Sequence, residues 1–540
     1  MEKYTLQEYA NLLQNLRMMK EFYSNGEEEK NVGYLTYDSR EVTEGTLFIC
    51  KGAAFKAEYL DAAIEKGAIA YVSEVKYETK EDVPYFLVDD IRKAMPPLAE
   101  KFNNAPWKKL TITGIGGTKG KSTSAYYMKA IVDDYMEATG GKESAVLSSI
   151  DIYDGVIKKE SHITTPESVE LQEHLRHAVE SGITFAEMEV SSQALKYNRV
   201  DNMQFDVGIF LNISEDHISP IEHPDFEDYF SSKLKIFGKS RYGVVNMDAD
   251  FADRILKESK VCEKVLTFST KNPEADVYGY EIQKDGHETV FMVKTELFDE
   301  EFRLTMPGLF NVENALAVIA ASILLEIPKE YMHSGLLRAR SSGRMELYGS
   351  ADKNLIAVVD YAHNKLSFEK LFSSIKDEYP DYNIVSIFGC PGKKAFIRRR
   401  DLGTVAGQYA KKVYLTAEDP GYEPVEQISK EIAQYVEAQN CPYAMIEDRG
   451  EAIKAAMDEA EGKTIFLITG KGNETRQKYG CEYLDCKSDT QYVKEYLAEY
   501  DKKHQEKLRD GWGFLQTHRM RENESRKSTH FIYFHIRCDV

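Results

Sequence analysis

The stretch TITGIGGTKGKSTSAYYMKAIVDD, Thr111 to Asp134, decides the fold because it joins a short apolar strand to a helix through a glycine-rich turn. Glycines at Gly114, Gly117 and Gly120 can adopt backbone angles that a side chain would forbid, so successive N–H groups can converge on phosphate oxygens. The pattern therefore predicts a nucleotide-phosphate loop at the end of a strand.

The residues that follow the turn support this prediction. Lys121 supplies a cation, and the helix that begins near it points its positive end at the same place. The Ser122 hydroxyl is a suitable ligand for the magnesium that accompanies a triphosphate. The strict P-loop spacing, G-x-x-x-x-G-K-[ST], requires glycine at position 115, where this chain has Ile115. A glycine-rich turn that binds nothing therefore stays open on the loop alone.

Length and composition narrow the class of protein. A chain of 540 residues that is 42% hydrophobic is too long for one core and predicts three or four domains. A net charge of -20 argues against general affinity for nucleic acid or anionic membranes. The seven cysteines never occur as C-x-x-C pairs, and no apolar run reaches the ~18 residues of a membrane span. We expect a cytoplasmic protein with reduced cysteines.

The order of predicted elements indicates an α/β fold with four segments. A small α/β unit ends near Pro106, and from Leu110 buried strands alternate with helices, which predicts a largely parallel sheet. After SSGRMELYG a second alternating series predicts a Rossmann-like domain. The predicted segments are residues 1–107, 108–338, 339–500, and a tail, 501–540, to which we assign no role.

Polar residues follow the strands after the loop. ITTPESVELQEHL places Thr164 and Thr165 before a proline that fits the first turn of a helix, and taken alone this is a helix cap. EMEVSSQ puts Glu189 at the carboxyl end of a buried strand, where parallel sheets bind ligands. A carboxylate at this position is suited to be a second magnesium ligand. Asn212 and His217 follow the next strand, and His217 alone reads more simply as an ordinary loop histidine.

Taken in order, the loop, TTP, EVSS, N-x-S-x-DH, Y-x-x-x-K, G-x-F-N-V-x-N-A, GRME, DYAH and GKGNE resemble the Mur ligase superfamily. Within it the chain is similar to the UDP-N-acetylmuramyl-tripeptide synthetases, from about Tyr34 to about Tyr500. The resemblance implies an N-terminal UDP-binding domain, a central P-loop ATPase-like domain and a C-terminal Rossmann-like amino-acid-binding domain.

The resemblance also implies an activity. Such enzymes are ATP- and Mg²⁺-dependent ligases that add an amino acid to UDP-N-acetylmuramoyl-L-alanyl-D-glutamate through an acyl phosphate. This step belongs to peptidoglycan synthesis, and hence to cell wall biogenesis, cell shape and cell division. The expected partners are the UDP-muramoyl dipeptide and a free amino acid, with no nucleic acid and no stable membrane insertion, and the protein is expected to be a monomer.

The resemblance implies a role for each matching residue. The ATP-binding residues are expected to lie in the loop and beside the adenine, phosphate and ribose parts of the nucleotide. They are Gly117, Thr118, Lys119, Gly120, Lys121, Ser122, Thr123, Asn311, Asn314, Arg344 and Asp360. The UDP substrate is expected to contact Ser39, Arg40, Thr164, Thr165, Ser192 and Arg199. Ser122, Glu189 and His217 are expected to serve the metal, and Lys121, Lys233 and His217 to be catalytic.

Lys233 in YFSSK matches a lysine that these enzymes carry as a carbamate. Adding CO2 to a neutral amine turns a cation into an anion, which can coordinate or orient magnesium. Taken alone, Lys233 is an unremarkable surface lysine, and only its position in the motif favours the modification.

Two segments depart from the family pattern. Gln193 stands where the family has histidine in EVSSH. In FGCPGKKAFIRRRDLG, Lys393, Lys394 and Ala395 replace an acidic-basic-acidic run, while Arg399 still fits the basic pair and is expected to contact the amino acid.

The segment AEDPGYEP bears on which amino acid is added. Enzymes that take meso-diaminopimelate usually show D-N-P-R, whose arginine grips the second carboxylate. This chain has Glu418, Asp419, Pro420 and Gly421, and the arginine is absent. An acidic pair without a cation suits a side chain that ends in an amine, so we expect L-lysine or a related diamino acid, with Glu418, Asp419, Gly421 and Glu474 at its site.

Three alternatives remain open on the sequence. One is a meso-diaminopimelate-adding enzyme of the same family. Another is a folylpolyglutamate-type ligase, against which the N-terminal DSR segment argues. The third is a non-catalytic nucleotide-binding relative, suggested by the altered GKKA segment.

Overall fold

The structure is a computed structural model that describes residues 3–52, 55–161, 163–215, 218, 222–285, 288–306, 308, 310–339, 345–393 and 396–504. The chain forms two compact units and passes from the first to the second between Met345 and Glu346. Within the described ranges, no helix combines the length and apolar character needed to cross a bilayer. The predicted boundaries of the four segments stay a prediction.

The first unit begins with a five-stranded sheet of order β1-β5-β4-β3-β2, parallel except for the pair β1 and β5. Thr5 caps the first helix with a capping box. Its side chain accepts a hydrogen bond from the Glu8 backbone N–H, and the Glu8 carboxylate accepts one from the Thr5 backbone N–H. The elements are α1 (Leu6–Asn15), β1 (Met19–Tyr23), β2 (Tyr34–Thr36), β3 (Thr46–Ile49), α2 (Ala57–Glu65), β4 (Ala68–Ser73), β5 (Tyr85–Val88) and α3 (Ile91–Phe102).

An eleven-stranded sheet forms the rest of the first unit. Its order is β16-β15-β14-β13-β12-β11-β6-β10-β7-β8-β9, with parallel pairing from β14 to β7 and antiparallel hairpins at both ends. The elements are β6 (Thr111–Gly116), α4 (Lys121–Thr139), β7 (Ala145–Leu147), β8 (Asp151–Tyr153), β9 (Lys158–Glu160), α5 (Ser168–Glu180), β10 (Phe185–Glu189), α6 (Ser192–Lys196), β11 (Phe205–Phe210), α7 (Phe226–Leu234), β12 (Ser240–Asn246), α8 (Ala252–Ser259), β13 (Lys264–Ser269), β14 (Val277–Asp285), β15 (Glu288–Lys294), β16 (Asp299–Leu304), α9 (Phe310–Leu324) and α10 (Lys329–Arg338).

The sheet order brings the ends of three strands together. In the register of the central strands, Glu189 at the end of β10 lies beside Ile115, and Phe210 at the end of β11 lies beside Gly116. Parallel strands end at the same edge of a sheet, so the loops after β6, β10 and β11 are neighbours. Helices α4 and α9 pack in the same core, and twelve of the fifteen residues of α9 are buried.

The second unit contains a six-stranded sheet of order β17-β18-β22-β19-β20-β21, parallel except at β17, and a separate hairpin of β23 and β24. Residues 489–504 are helical. The elements are β17 (Glu346–Gly349), β18 (Leu355–Asp360), α11 (Lys365–Glu378), β19 (Asn383–Phe388), α12 (Phe396–Tyr409), β20 (Lys412–Leu415), α13 (Val425–Glu437), β21 (Tyr443–Met445), α14 (Arg449–Asp458), β22 (Thr464–Thr469), β23 (Arg476–Tyr479) and β24 (Glu482–Asp485).

The predicted α/β fold with parallel sheets is confirmed, and the differences are local. The pattern AVLSSI, Ala145 to Ile150, predicts a strand, but β7 ends at Leu147, which leaves Ser149 in a turn. The sequence pattern predicts the helix after β19 from Arg400, whereas α12 begins at Phe396; in its first turn Phe396 and Ile397 are exposed and Arg399 is buried. Of the predicted tail, residues 505–540 lie outside the described residues.

Candidate functional site

The loop between β6 and α4 requires glycine at two positions. Gly117 and Gly120 have φ angles of 141° and 87°, which lie in the region that favours glycine. A Cβ atom at Gly120 would lie 2.3 Å from Asn314 Oδ1, and one at Gly117 would lie 2.9 Å from the Leu211 Cβ. Gly114 is needed for another reason, because it lies in β6 against the ring of Phe205.

Asn212, just after β11, holds the loop in place. Its Oδ1 accepts hydrogen bonds from the backbone N–H groups of Thr118 at 3.1 Å and Lys119 at 2.8 Å, and its Nδ2 donates to the Lys119 carbonyl at 3.0 Å. The Thr118 hydroxyl also lies 3.1 Å from the Tyr229 hydroxyl of α7. One side-chain amide therefore satisfies three backbone groups of a turn that has no regular hydrogen-bond ladder.

Two lysines converge on the same carbonyl of the loop. Lys121 Nζ donates to the carbonyl oxygens of Gly117 at 3.1 Å and Thr118 at 3.2 Å. Lys233 Nζ, from α7, donates to the Gly117 carbonyl at 2.7 Å, and its side chain is 3% exposed. The loop therefore has two amine side chains close to its backbone, together with the N-terminus of α4.

Oxygen ligands gather beside the loop. The hydroxyls of Ser122 and Ser149 are 3.1 Å apart, and Ser149 donates to Glu189 Oε1 through its backbone N–H at 2.8 Å and its hydroxyl at 3.1 Å. A hydroxyl and a carboxylate are the donors that a hard cation such as Mg²⁺ prefers, so Ser122 and Glu189 fit the predicted metal role. The third predicted ligand, His217, lies outside the described residues.

Ser149 was missed from the sequence. The serines of AVLSSI look like the end of a strand, and only the turn after Leu147 directs Ser149 towards Glu189. A pair of hydroxyl residues at the end of a parallel strand next to the phosphate loop was the available signal.

The residues predicted for the muramoyl peptide lie around the end of β10. Thr165 donates its hydroxyl hydrogen to the Glu189 carbonyl at 2.9 Å, and Arg199 donates to the Thr165 carbonyl at 3.2 Å. Arg199 also pairs with Glu167 at 2.7 Å, and the Ser192 hydroxyl lies 2.9 Å from His223 Nε2. Thr164 precedes this group and is half-buried.

Ser39 and Arg40 line a cavity of about 470 Å³ in the N-terminal part of the first unit. Arg40 is held by Asp38, with Nε 2.9 Å from Oδ1, and this pairing lowers the pKa of Asp38. Other lining residues include Lys51 and the aromatic side chains of Tyr37, Phe55 and Tyr59. The cavity offers cations and rings, which suit an anionic ligand that carries a base.

Two asparagines begin α9 next to the loop. Asn314 Nδ2 donates to Asn311 Oδ1 at 3.2 Å, and both side chains are buried. The structure therefore brings Asn314 of the predicted adenine-side pair against Gly120. Arg344 lies outside the described residues. Asp360 belongs to the second unit, where it ends β18 and accepts the Ala362 N–H at 2.7 Å.

The second unit has an acidic cluster of its own around a buried lysine. Lys471 Nζ donates to Asp419 Oδ1 at 3.0 Å and to Glu474 Oε2 at 2.5 Å. Burial alone would lower the pKa of Lys471, but the charges of Glu474 and Asp419 outweigh it and raise the pKa. Sequence reasoning missed Lys471, although its position between two glycines directly after β22 was a signal.

Glu418 is the most deeply buried carboxyl of this cluster. Burial raises its pKa to about 7, against the opposing charges of Arg449 and Arg398. Its Oε2 lies so close to Gly470 that a Cβ there would be 2.8 Å away. A carboxyl that ionises near neutral pH is suited to binding an ammonium group only when it is charged.

The two remaining predicted contacts have partners within this unit. Arg399 is 2% exposed, and its guanidinium donates to both carboxylate oxygens of Glu423, at 2.7 and 2.8 Å, and to Glu431 at 2.5 Å. Gly421 pairs with the hairpin, because its carbonyl accepts the Gly480 N–H at 2.7 Å. The structure therefore gives Arg399 a role in holding α12 to α13, and its contact with an amino acid stays a prediction.

Comparisons with known proteins agree with the motifs. Residues 115–322 match the model of the Mur ligase middle domain, and residues 343–472 match that of the Mur ligase glutamate ligase domain. The UDP-N-acetylmuramoyl-L-alanyl-D-glutamate--L-lysine ligase of Enterococcus faecalis is 38% identical, over 83% of this chain and 88% of that protein. The UDP-N-acetylmuramyl-tripeptide synthetase of Lactobacillus delbrueckii subsp. bulgaricus is 37% identical, over 82% and 89%.

A solved structure extends the agreement to the fold. The chain superposes on a UDP-N-acetylmuramoyl-L-alanyl-D-glutamate--2,6-diaminopimelate ligase with a TM-score of 0.63 at 23% identity, over 92% of this chain and 99% of that one. At this identity the likeness concerns the fold alone. With the two domain models and the two relatives of more than 35% identity, the phosphate loop and its neighbours have one explanation: the chain belongs to the Mur ligase family of ATP-dependent ligases.

Proposed function

We propose that this protein joins L-lysine to the side-chain carboxylate of D-glutamate in UDP-N-acetylmuramoyl-L-alanyl-D-glutamate. The observation that carries the choice of amino acid is the acidic cluster of Glu418, Asp419 and Glu474 in the second unit. The names of the two relatives, a lysine ligase and a tripeptide synthetase, support the same assignment.

The reaction has two steps. The D-glutamate carboxylate oxygen attacks the γ-phosphorus of ATP, the bond to the bridging oxygen breaks, and an acyl phosphate and ADP result. The neutral α-amine of lysine then attacks the acyl carbon, phosphate leaves, and the amine loses a proton as the amide forms. Both steps develop negative charge on phosphoryl oxygens, so positioned donors and cations are the main source of catalysis.

The phosphate loop supplies these donors. Backbone N–H groups at the start of α4 would bind the phosphates of ATP, and Lys121 would move from the loop carbonyls to the transferring phosphoryl group. Asn212 would keep the loop in shape during this change, because it contacts the backbone of Thr118 and Lys119 and not the side chain of Lys121.

Magnesium fits the oxygen ligands beside the loop. We assign it to Ser122 and Glu189, with His217 as the ligand that the family pattern adds. When bound, the ion neutralises charge on the phosphate oxygens. Ser149, which donates to Glu189, would orient that carboxylate.

Lys233 is the proposed site of carbamylation. Its amine is buried and donates to the same loop carbonyl as Lys121, and CO2 adds to an amine in its neutral form. A carbamate keeps one N–H, so the hydrogen bond to the Gly117 carbonyl can persist after modification. The added negative charge would lie next to the cation of Lys121.

The acidic cluster is proposed to bind the side chain of the incoming amino acid and to select it. The ε-ammonium of lysine is attracted by ionised Glu418 and Asp419, whereas the second carboxylate of meso-diaminopimelate would be repelled by them. Lys471 already neutralises part of the charge of Asp419 and Glu474, so Glu418 carries the largest share of the selectivity in this proposal.

The test is a panel of amino acids with purified protein, ATP, Mg²⁺ and the UDP-muramoyl dipeptide, read by product mass. We expect kcat/KM for L-lysine to exceed that for meso-diaminopimelate by at least about a hundredfold, the difference that one repelled charge in a partly buried site can supply. A higher kcat/KM for meso-diaminopimelate would overturn the substrate. If ATP hydrolysis does not depend on both the dipeptide and an amino acid, the alternative of a non-catalytic relative is favoured instead.

A further inference from the structure

Ser192, His223 and Asp228 form a hydrogen-bonded relay of three side chains, in which Ser192 and His223 are buried and Asp228 is partly exposed. The Ser192 hydroxyl lies 2.9 Å from His223 Nε2, and His223 Nδ1 lies 2.6 Å from Asp228 Oδ2. Ser192 is 4% exposed and His223 is 0% exposed. Neither His223 nor Asp228 was singled out from the sequence, because they precede and begin α7 rather than follow a strand of the sheet.

The proton positions follow from the partners. The Asp228 carboxylate also accepts from Lys196 Nζ at 2.6 Å, and together its partners outweigh the effect of burial and lower its pKa, so the carboxylate is ionised. An ionised carboxylate only accepts, so His223 carries a hydrogen on Nδ1. The ring of His223 is 0% exposed, and burying an ionised group is costly.

A neutral ring with hydrogen on Nδ1 has a lone pair on Nε2. The Ser192 hydroxyl must then donate its hydrogen to His223, and its oxygen can offer only lone pairs to anything else. A hydroxyl in this state accepts from an N–H group and has no hydrogen for a carboxylate or phosphate oxygen. The chain of three residues therefore selects what Ser192 can recognise.

Gln193 secures the segment that carries the imidazole. Its Nε2 donates to the Glu222 carboxylate at 3.0 Å, and the Glu222 carbonyl accepts from Lys196 at 3.0 Å, so α6 is tied to the residue next to His223 by two hydrogen bonds. The ring of Tyr229 packs edge-on against that of His223 at 5.2 Å. The glutamine that departs from the family pattern thus has a structural partner in this chain.

We propose that His223 is neutral, and that Asp228 and His223 are positioning residues that fix the Ser192 hydroxyl as a hydrogen-bond acceptor for a peptide N–H of the UDP-muramoyl dipeptide. This inference rests on the proposed function, because Ser192 is expected to contact that substrate. It adds the polarity of the contact and the two residues that set it.

The first experiment is a double-mutant cycle measured by steady-state kinetics. Ser192→Ala and His223→Leu should each raise KM for the UDP-muramoyl dipeptide about tenfold, as expected for one lost hydrogen bond, with KM for ATP and L-lysine within about twofold. The double variant should be no worse than either single variant. His223→Gln, whose amide can donate to Asp228 and accept from Ser192, should stay within about threefold of the wild type.

His333→Leu is the matched control, because that ring stacks on Phe302 away from the loop and should leave all three KM values unchanged. Three results would overturn the proposed roles of His223 and Asp228. They are additive effects in the double variant, equal losses in His223→Gln and His223→Leu, and a joint rise of all three KM values. If His223→Leu does not fold, Asp228→Asn takes its place in the cycle, with the same outcomes.

The second experiment does not depend on turnover. In protein labelled with ¹⁵N at its 12 histidines, His223 should show a protonated Nδ1 and an unprotonated Nε2, and the Nε2 signal should shift in Ser192→Ala. A protonated Nε2 would overturn the relay even in an active enzyme. If the wild type does not use the dipeptide, the proposed function is overturned. The spectrum still shows in that case whether His223 Nε2 accepts from Ser192.

Discussion

Lys233 Nζ donates a hydrogen bond of 2.7 Å to the carbonyl oxygen of Gly117, although 116 residues separate them in the chain. One helical turn earlier, the Tyr229 hydroxyl lies 3.1 Å from that of Thr118. Helix α7 thus contacts the phosphate loop through two side chains four residues apart, on one face of the helix. The end of α7 is therefore part of the loop's support.

Lys233→Arg tests the carbamate. Arginine keeps a positive charge and a hydrogen-bond donor but cannot be carbamylated, so kcat should fall by about a hundredfold or more. Turnover and thermal melting measure this, with Lys235→Arg as the exposed control two residues away. An Lys233→Arg enzyme with more than a tenth of the wild-type kcat would show that the carbamate is not needed.

Lys121→Ala tests the cation of the loop. Loss of a positive charge at the transferring phosphoryl group should lower kcat by about a thousandfold, roughly 4 kcal/mol, and leave the melting temperature nearly unchanged. The exposed Lys109 supplies the control, Lys109→Ala. Activity within tenfold of the wild type would remove Lys121 from the mechanism.

Gly392→Ala tests the packing behind the amino-acid cluster. A Cβ at Gly392 would lie 1.8 Å from the Pro420 carbonyl oxygen, so the segment that carries Glu418 and Asp419 must shift. KM for L-lysine should rise at least about tenfold, because a small displacement weakens charge pairing and orientation. Gly349→Ala is the control, because a Cβ there would lie 3.8 Å from its nearest neighbour, the Leu355 carbonyl oxygen. Unchanged KM for lysine in a folded Gly392→Ala protein would contradict the assigned site.

Glu418 predicts a pH dependence. Its pKa of about 7 means that the carboxyl gains its charge as pH rises through neutrality. kcat/KM for L-lysine should therefore rise between pH 6 and pH 8 more steeply in the wild type than in Glu418→Gln, by up to about tenfold. The lysine α-amine titrates equally in both proteins, so the ratio of the two profiles isolates Glu418. Parallel profiles would show that its charge does not bind the substrate.

Glu187 predicts a pH dependence of stability. It is buried in β10 beside Thr113, and burial raises its pKa from 4.5 to about 8. The folded state then holds a proton that the unfolded state has lost, so this contribution is complete below about pH 4.5 and decreases until about pH 8. Glu187→Gln should flatten that decrease, which amounts to a few kcal/mol at most. Urea unfolding at pH 5, 6.5 and 8 measures the free energy of unfolding of both proteins. If that free energy changes equally with pH in the wild type and in Glu187→Gln, the burial argument is contradicted.

The sequence predicted most of the fold because local patterns encode it. Glycines at Gly117 and Gly120 reveal the loop, since few other residues tolerate those backbone angles. Buried strands alternating with helices reveal parallel sheets. Less could be said of the start of α12, because the apolar Phe396 and Ile397 of its first turn are exposed, and of His217 and Arg344, which lie outside the described residues.

Partners of side chains were harder to predict. The contact of Arg399 with the amino acid stays a prediction, whereas its pairing with Glu423 and Glu431, far along the chain, could not be predicted. A buried guanidinium needs several acceptors at fixed geometry, and only the packing of α12 on α13 supplies them.

By itself, the sequence determined the phosphate loop, the alternation of strands and helices, and the acidic segment that replaces an arginine, because each depends on neighbouring residues. Only the tertiary structure decided that Ser149 orients Glu189, that Lys471 lies between Asp419 and Glu474, and that His223 faces Ser192. Except for that of Lys471 and Glu474, these contacts join residues that lie tens of positions apart. They depend on which strands end side by side and on how helices pack against them, and no local pattern of residues encodes that arrangement.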